Sequence, residues 1–337
     1  MTPLVTICFE ERIYAMSGVH IERQAPLLYI VSPCYNEEEA LPLTSRRLQE
    51  KISSLTAAGI IAEGSRILFV NDGSRDSTWD IIRDLHEEDP VFAGISLSRN
   101  RGHQNALLAG LMTSKEYADV SISLDADLQD DIDCIDAMLE KYMKGNDIVY
   151  GVRKRRDTDT WFKRSTAEGF YKVLSFLGAE VVFNHADYRL MSRRALQGLA
   201  EFPEVNLFLR GMVPLVGYPS DVVYYDRHER LAGESHYPLW KMLSLAMQGV
   251  TSLTVRPIRM VMEVGAVFLL ISLLILLWSL YRHFTGETIS GWTSLMVSVW
   301  AVGGMVLFSL GVVGEYVGKI YLEAKHRPRY IIQEILI

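Results

Sequence analysis

The sequence predicts an α/β protein: a mostly parallel sheet flanked by helices, then an amphipathic surface segment and two membrane-crossing helices. Three observations carry this. From residue 27 short apolar runs alternate with longer amphipathic segments, the pattern of βαβ units. A polar cluster follows each of the first four apolar runs, at the strand ends where open parallel sheets bind ligands. Two apolar stretches of about 20 residues come last, each long enough for a hydrocarbon core of ~30 Å.

The predicted strands are "LLYIVSPC" (27–34), "RILFVND" (66–72), "VFAGISLS" (91–98), "DVSISLD" (119–125) and "NDIVYGV" (146–152), with helices beginning near Glu38, Asp76, His103 and Asp131. The clusters "YNEEE", "NDGSRDST", "LSRNRGHQN" and "LDADLQDD" therefore converge on one rim. A chain of 337 residues has room for one large domain and an appendage. Its net charge of -7 gives no reason to expect a nucleic-acid partner. Three cysteines without metal-ligand spacing, Cys8, Cys34 and Cys134, fit a reducing compartment. Glu10 and Glu11 interrupt any signal-peptide core, and Met16 is an alternative start.

The apolar stretches are 261–281, with Glu263 at its edge, and 293–313. The loop between them carries only Arg282, whereas Arg256 and Arg259 precede the pair and Lys319, Lys325, Arg327 and Arg329 follow it. The positive-inside rule then puts both termini and the main domain in the cytoplasm of an inner or plasma membrane protein. Trp278, Tyr281, Trp292 and Tyr316 suit interfacial positions, and residues 236–255 are amphipathic enough to lie along the membrane. The expected units are an N-terminal extension (1–26), a catalytic-looking domain (27–235), a juxtamembrane segment (236–259), two spans (260–314) and a cytoplasmic tail (315–337).

Asp125, Asp127, Asp130 and Asp131 fall within seven positions, a density of like charge that needs compensation. On an extended backbone Asp125 and Asp127 point the same way while Ala126 faces the other. Two hard oxygen ligands at a strand end suit Mg²⁺ or Mn²⁺, completed by substrate phosphate and water. The alternative is a solvated acidic loop in which Asp130 or Asp131 caps the next helix. Turn and cap chemistry likewise explains most of "NDGSRDST", although not why Asp72 would share a rim with Asp125 and Asp127. A dinucleotide site is disfavoured, because the turn after the first strand offers "NEEE" in place of Gly-x-Gly-x-x-Gly.

The set "VSPCYNEEEAL", "VNDGSRDST", "LSRNRGHQNALLAGL" and "LDADLQDD", in this order, resembles family 2 glycosyltransferases with the Rossmann-like GT-A fold. Two C-terminal spans and "DRHERLAGESHYPL" narrow the resemblance to polyprenyl-phosphate glycosyltransferases, and it covers roughly residues 27–325. It implies that Pro33, Tyr35, Glu37 and Asp72 hold the nucleotide, and that Asp125, Asp127 and Gln129 surround Mg²⁺ or Mn²⁺. Asp187 and Arg189 in "HADYRLMSRRAL" would lie near the sugar, with a strand-edge ion pair as the alternative. Arg227, Arg230, Ser235 and His236 match positions facing the diphosphate and the acceptor phosphate. Lys is common where this chain has His236, and a neutral imidazole attracts phosphate less well. Some relatives form tetramers through the membrane region; Gly303, Gly304, Gly311 and Gly314 would permit close helix packing, between subunits or within one.

A sugar-hydroxyl acceptor would need a general base. Neither the Glu-Asp pair nor the Gln-x-x-Arg-Trp that such family 2 enzymes carry is present in the expected region. A lipid phosphate is already anionic. The resemblance thus implies inverting transfer of one hexose, first UDP-glucose as donor, to a polyprenyl (undecaprenyl) phosphate. Mannosyl or other sugar transfer, a processive polysaccharide synthase and a non-catalytic membrane adaptor are the alternatives.

Overall fold

The computed structural model describes residues 24–153, 185–226 and 292–337, together with residues 258, 260, 261, 263, 265, 267 and 274. The extension before residue 24, the juxtamembrane segment, Arg227, Arg230, Ser235, His236 and most of the first apolar stretch lie outside the described residues.

Four βαβ-type units build the frame. Strand β1 (Leu28–Cys34) leads to helix α1 (Leu41–Ala57), β2 (Arg66–Asn71) to α2 (Thr78–Glu88), β3 (Phe92–Leu97) to α3 (His103–Tyr117) and β4 (Val120–Ser123) to α4 (Cys134–Met143). Then come β5 (Ile148–Arg153), β6 (His185–Ser192), α5 (Arg193–Ala200), α6 (Leu209–Leu215), β7 (Ser220–Tyr225), α7 (Trp292–Ala324) and β8 (Ile332–Leu336). The five predicted strands are all present, within two residues or so at each end.

The strands form one sheet in the order β7-β5-β6-β4-β1-β2-β3-β8. Pairings β1–β2, β1–β4, β2–β3 and β5–β7 are parallel; β6 runs antiparallel to β4 and β5, and β8 antiparallel to β3. Alternation along β1 explains the layers: Leu28 and Ile30 enter one core with α1, α2 and α4, while Tyr29 and Val31 enter the other with α3, α5 and α6. Both faces are covered, which is why these strands read as continuous apolar runs. Helix α3 lies so close to the sheet that a Cβ on Gly110 would stand 2.4 Å from Val31 Cγ1 and 2.6 Å from Val70 Cγ2. Only glycine lets it settle there.

The C-terminal region corrects two expectations. The apolar stretch expected at 293–313 belongs to a single 33-residue helix, α7, whose portion long and apolar enough to cross a membrane is Val302–Ala324 with mean hydropathy 1.4. At 1.5 Å per residue α7 is roughly 50 Å long, more than a hydrocarbon core requires. Its last turns carry Lys319 and Glu323 and dock on the sheet domain: Glu323 accepts hydrogen bonds from Val205 N, Asn206 N and Asn206 Nδ2 at 2.7 to 2.8 Å. Tyr316, expected at a membrane interface, is buried. Nor is 315–337 a free tail, since Ser98 N donates to Ile331 O and β8 pairs with β3 as the edge strand. The apolar alternation of "IIQEILI" was too short to distinguish an edge strand from a tail.

Candidate active site

The carboxyl ends of β1, β2 and β4 open on one rim, as their parallel pairing requires. After β1 the chain turns at Asn36, in the left-handed region at φ 54°. That turn is stitched to the one after β2 in both directions. Asn36 N donates to Ser74 Oγ at 3.0 Å and Asn36 Oδ1 accepts from Arg75 N at 2.9 Å; Glu37 N donates to Thr78 Oγ1 at 2.9 Å and Glu38 Oε2 accepts from Ser77 N at 3.0 Å. Pro33 lies within the last residues of β1, paired with Val70, and Tyr35 stands exposed beyond the strand, so Tyr35, Glu37 and Asp72 share this double turn with Pro33 just before it.

Asp72 is buried, and its two oxygens accept Arg101 N at 2.7 Å and Gly102 N at 2.9 Å. Burial raises its carboxyl above the usual range, against the lowering effect of those two amides. It therefore fixes the basic loop "SRNRG" over the β2 turn. Gly73, at φ 63°, fits beneath that loop only because it has no Cβ, which would come within 2.6 Å of the Arg99 carbonyl carbon and Asn100 N.

At the end of β4, Asp125 and Asp127 are both partly exposed at the rim, with buried Ala126 between them. Thr44 of α1 holds this backbone by donating to Ala126 O at 2.6 Å. Asp127 Oδ1 accepts Gln129 N at 3.2 Å across Leu128, which sits at φ 53°. Gln129 itself is buried. Asp130 does not cap the next helix; its carboxylate is buried and takes Arg153 Nη2 at 3.1 Å and the Tyr225 hydroxyl. The Asp131 carboxylate accepts Asp133 N at 3.0 Å and the Cys134 thiol at 3.8 Å, just before α4.

Behind Asp125 stands a second layer. His103 Nε2 lies 3.6 Å from both Asp125 Oδ1 and Asp187 Oδ2. Asp187 Oδ1 accepts Arg189 Nη2 at 2.6 Å, and Arg210 Nη2 reaches Asp187 Oδ2 at 3.0 Å. Burial would raise the Asp187 carboxyl, but the His103 bond and the Arg189 and Arg210 charges hold it well below the usual range. Arg189 is 1% exposed and lies beneath the rim rather than at a strand edge, its Nη1 donating to Leu209 O at 3.4 Å. Asp187 and Arg189 are thus an internal ion pair facing Asp125 through His103. His103, Arg210, Arg153, Asp130 and Tyr225 are site residues that sequence reasoning did not select. His103 directly follows the glycine opening α3 on a polar rim, a usable signal; Arg210 comes from a seven-residue helix and had none.

The donor set fits a divalent cation. Burial and the carboxylates of Asp130, Asp187 and Asp127 push Asp125 up to about 6, against the His103 charge. The cations that the structure places beside Asp125, among the described residues, are His103 and, behind it, Arg210 and Arg189. Among the described residues no three His, Cys, Asp or Glu side chains converge on a metal position. A cation here would be held by Asp125 and Asp127 with Gln129 adjacent, and would draw its remaining oxygens from substrate and water, the habit of Mg²⁺ and Mn²⁺.

A carboxylate rim at the carboxyl ends of a mostly parallel α/β sheet is a ligand-binding position of the open α/β class. Residues 29–199 match Glycosyl transferase family 2, and the chain belongs to that family. It is 48% identical over 312 residues to an "Uncharacterized glycosyltransferase YkoT" of Bacillus subtilis (strain 168), covering 93% of each chain. It is 40% identical over 306 residues to a bactoprenol glucosyl transferase of Shigella phage SfV, covering 90% of this chain and 97% of that protein. A prophage bactoprenol glucosyl transferase homolog of Escherichia coli (strain K12) is 37% identical, with 91% and 98% covered. The protein is a glycosyltransferase.

Proposed function

We propose that the protein transfers one hexose, with inversion, from a nucleoside-diphosphate sugar to the phosphate of a polyprenyl (undecaprenyl) carrier at the cytoplasmic face of an inner or plasma membrane, with UDP-glucose as first donor. The observation that carries this is the union of two features. The carboxylate pair Asp125 and Asp127 opens on a rim whose sheet is fastened, through Glu323 and β8, to a long apolar helix largely exposed over Val302–Val317. An acceptor that lives in a membrane suits that union better than a soluble one. The names of the phage and prophage relatives support the same acceptor class.

The topology supports two spans. Strands β1 to β7 and β8 belong to one sheet, so the chain between β7 and β8 must return to the side it left, which favours an even number of crossings. The apolar part of α7, before its last turns dock on the domain through Lys319 and Glu323, supplies one, and the apolar stretch 261–281 is the natural other.

In this reading the double turn after β1 and β2, with Tyr35, Glu37 and Asp72, receives the nucleoside. Asp125 and Asp127 hold a Mg²⁺ or Mn²⁺ ion, which when bound would neutralise charge on the departing diphosphate. Arg227 and Arg230 take the phosphates. Ser235 and His236 follow on that segment toward the acceptor. Asp187, braced by Arg189 and Arg210, keeps His103 against Asp125. The acceptor phosphate attacks as an anion, so no side chain need remove a proton.

The test is transfer of labelled sugar from a panel of UDP- and GDP-sugars to undecaprenyl phosphate in detergent, with Mg²⁺ or Mn²⁺ and with EDTA. A metal-dependent, organic-extractable product from one donor is expected, abolished in Asp127→Asn. No lipid product from any donor, with the protein folded, would overturn the acceptor; full activity of Asp127→Asn would overturn the cation site.

A further inference from the structure

The loop that carries the carboxylate pair contains a residue in an unfavourable conformation. Leu128, at φ 53°, has a branched side chain in a backbone region that glycine and asparagine occupy far more readily. Such conformations persist only when the surroundings over-determine them. The bond from Gln129 N to Asp127 Oδ1 depends on this turn, and so does the direction in which Asp127 faces.

The surroundings are specific. Three residues from three elements close a triangle behind the turn. The Tyr225 hydroxyl at the end of β7 donates to Asp130 Oδ1; Arg153 at the end of β5 gives Nη2 to the same oxygen at 3.1 Å and Nε to the Tyr225 hydroxyl oxygen at 3.1 Å. Asp130 is 2% exposed and Tyr225 1%. The Tyr188 ring meets Tyr225 edge to face at 5.4 Å and its hydroxyl donates to Asp131 O at 3.0 Å. The two residues after the turn are thereby gripped by side chain and by backbone, while Thr44 grips the residue before Asp127 through Ala126 O. A buried carboxylate served by two donors is far from what an N-cap or solvated loop would need.

We propose that Asp130, Arg153 and Tyr225 form a clamp that holds Leu128 in its left-handed turn and so positions Asp127 toward a divalent cation. These are positioning residues: Asp130 Oδ1, the Tyr225 hydroxyl and Arg153 Nε and Nη2 are engaged with one another. Tyr225 is also the last residue of β7, so the clamp ties the carboxylate loop to the start of the segment bearing Arg227 and Arg230. This proposal rests on the cation reading of Asp125 and Asp127.

The test uses the full chain in detergent and measures Mn²⁺ affinity from the paramagnetic resonance signal of free Mn²⁺, beside thermal unfolding in EDTA. Tyr225→Phe keeps the ring and its packing and removes only the hydroxyl. It should weaken Mn²⁺ binding about tenfold, the usual scale for losing a group behind a metal ligand. Adding Leu128→Gly, which takes a positive φ without strain, should recover most of that loss. Asp130→Asn should behave as Tyr225→Phe does, and gives a second reading if either variant folds poorly. Unchanged Mn²⁺ affinity in both single variants would overturn the clamp while leaving the cation site standing. So would a Leu128→Gly addition that weakens binding further, because strain would not then be what the clamp opposes. Absence of Mn²⁺ binding in the unaltered protein would remove the cation site itself, and the clamp with it.

Discussion

Asp187 shows how a single side chain organises the rim. Its carboxylate takes Arg189 and Arg210 and faces His103, which faces Asp125 in turn. Replacing it with Asn keeps the shape but leaves Arg189, 1% exposed, without its counter-charge. Breaking such a buried pair costs about 3–5 kcal/mol. Asp187→Asn should therefore lower the unfolding midpoint strongly in denaturant titration; a change below about 1 kcal/mol would mean that Arg189 finds another partner. At this scale the sequence was informative where chemistry repeats locally. Asp125 and Asp127 are two residues apart on a strand end, and their common direction follows from the pleat. The Asp130, Arg153 and Tyr225 triangle spans 95 positions and has no local signature. Arg189 is expected near the sugar, with a strand-edge ion pair as the alternative, because strand periodicity says which face a residue takes but not whether a later helix covers it. Here α6 covers it.

The elements carry a second kind of information. Helix α7 ends by placing Glu323 across the loop at Val205 and Asn206, and that loop leads into α6, whose Arg210 reaches Asp187 and whose Leu209 N donates to Gln104 Oε1 at 3.0 Å. The apolar helix and the carboxylate rim are therefore linked through one short loop and α6. Glu323 is held below the usual carboxylate range by the bonds from that loop, against the opposing effect of burial, so its ionised form is the one that fits. Glu323→Ala removes three accepted hydrogen bonds, with about 1–3 kcal/mol expected from leaving partly buried donors unpaired. The expected outcome is faster limited proteolysis near residues 203–208 and a reduced transfer rate. Wild-type proteolysis would show that β8 alone holds the helix to the domain. The βαβ units were legible because each pairs a short apolar run with an amphipathic helix and turn residues between them. The ends of α7 were not, since polar residues in its last turns read as a membrane exit when they are in fact a docking surface.

For the whole molecule, chain direction becomes a constraint on topology. The sheet begins with β1 in its middle and ends with β8 at its edge, and the apolar part of the chain lies between β7 and β8. A sheet cannot be shared across a bilayer, because its backbone groups must pair on one side. Whatever leaves after Tyr225 must come back before Ile332, because β8 pairs with β3 in the same sheet. If residues 261–281 and α7 are the two crossings, the loop between them faces outward. Thr288 lies in that loop. With Cys8, Cys34 and Cys134 replaced, Thr288→Cys should be labelled in intact cells by a membrane-impermeant maleimide, and a cysteine at exposed Glu116 only after lysis. Labelling of both positions only after lysis would mean that the apolar segments dip into the membrane and return without crossing. The active site would then still sit at a membrane face, but its acceptor would reach it without a transmembrane pair to hold the domain in place.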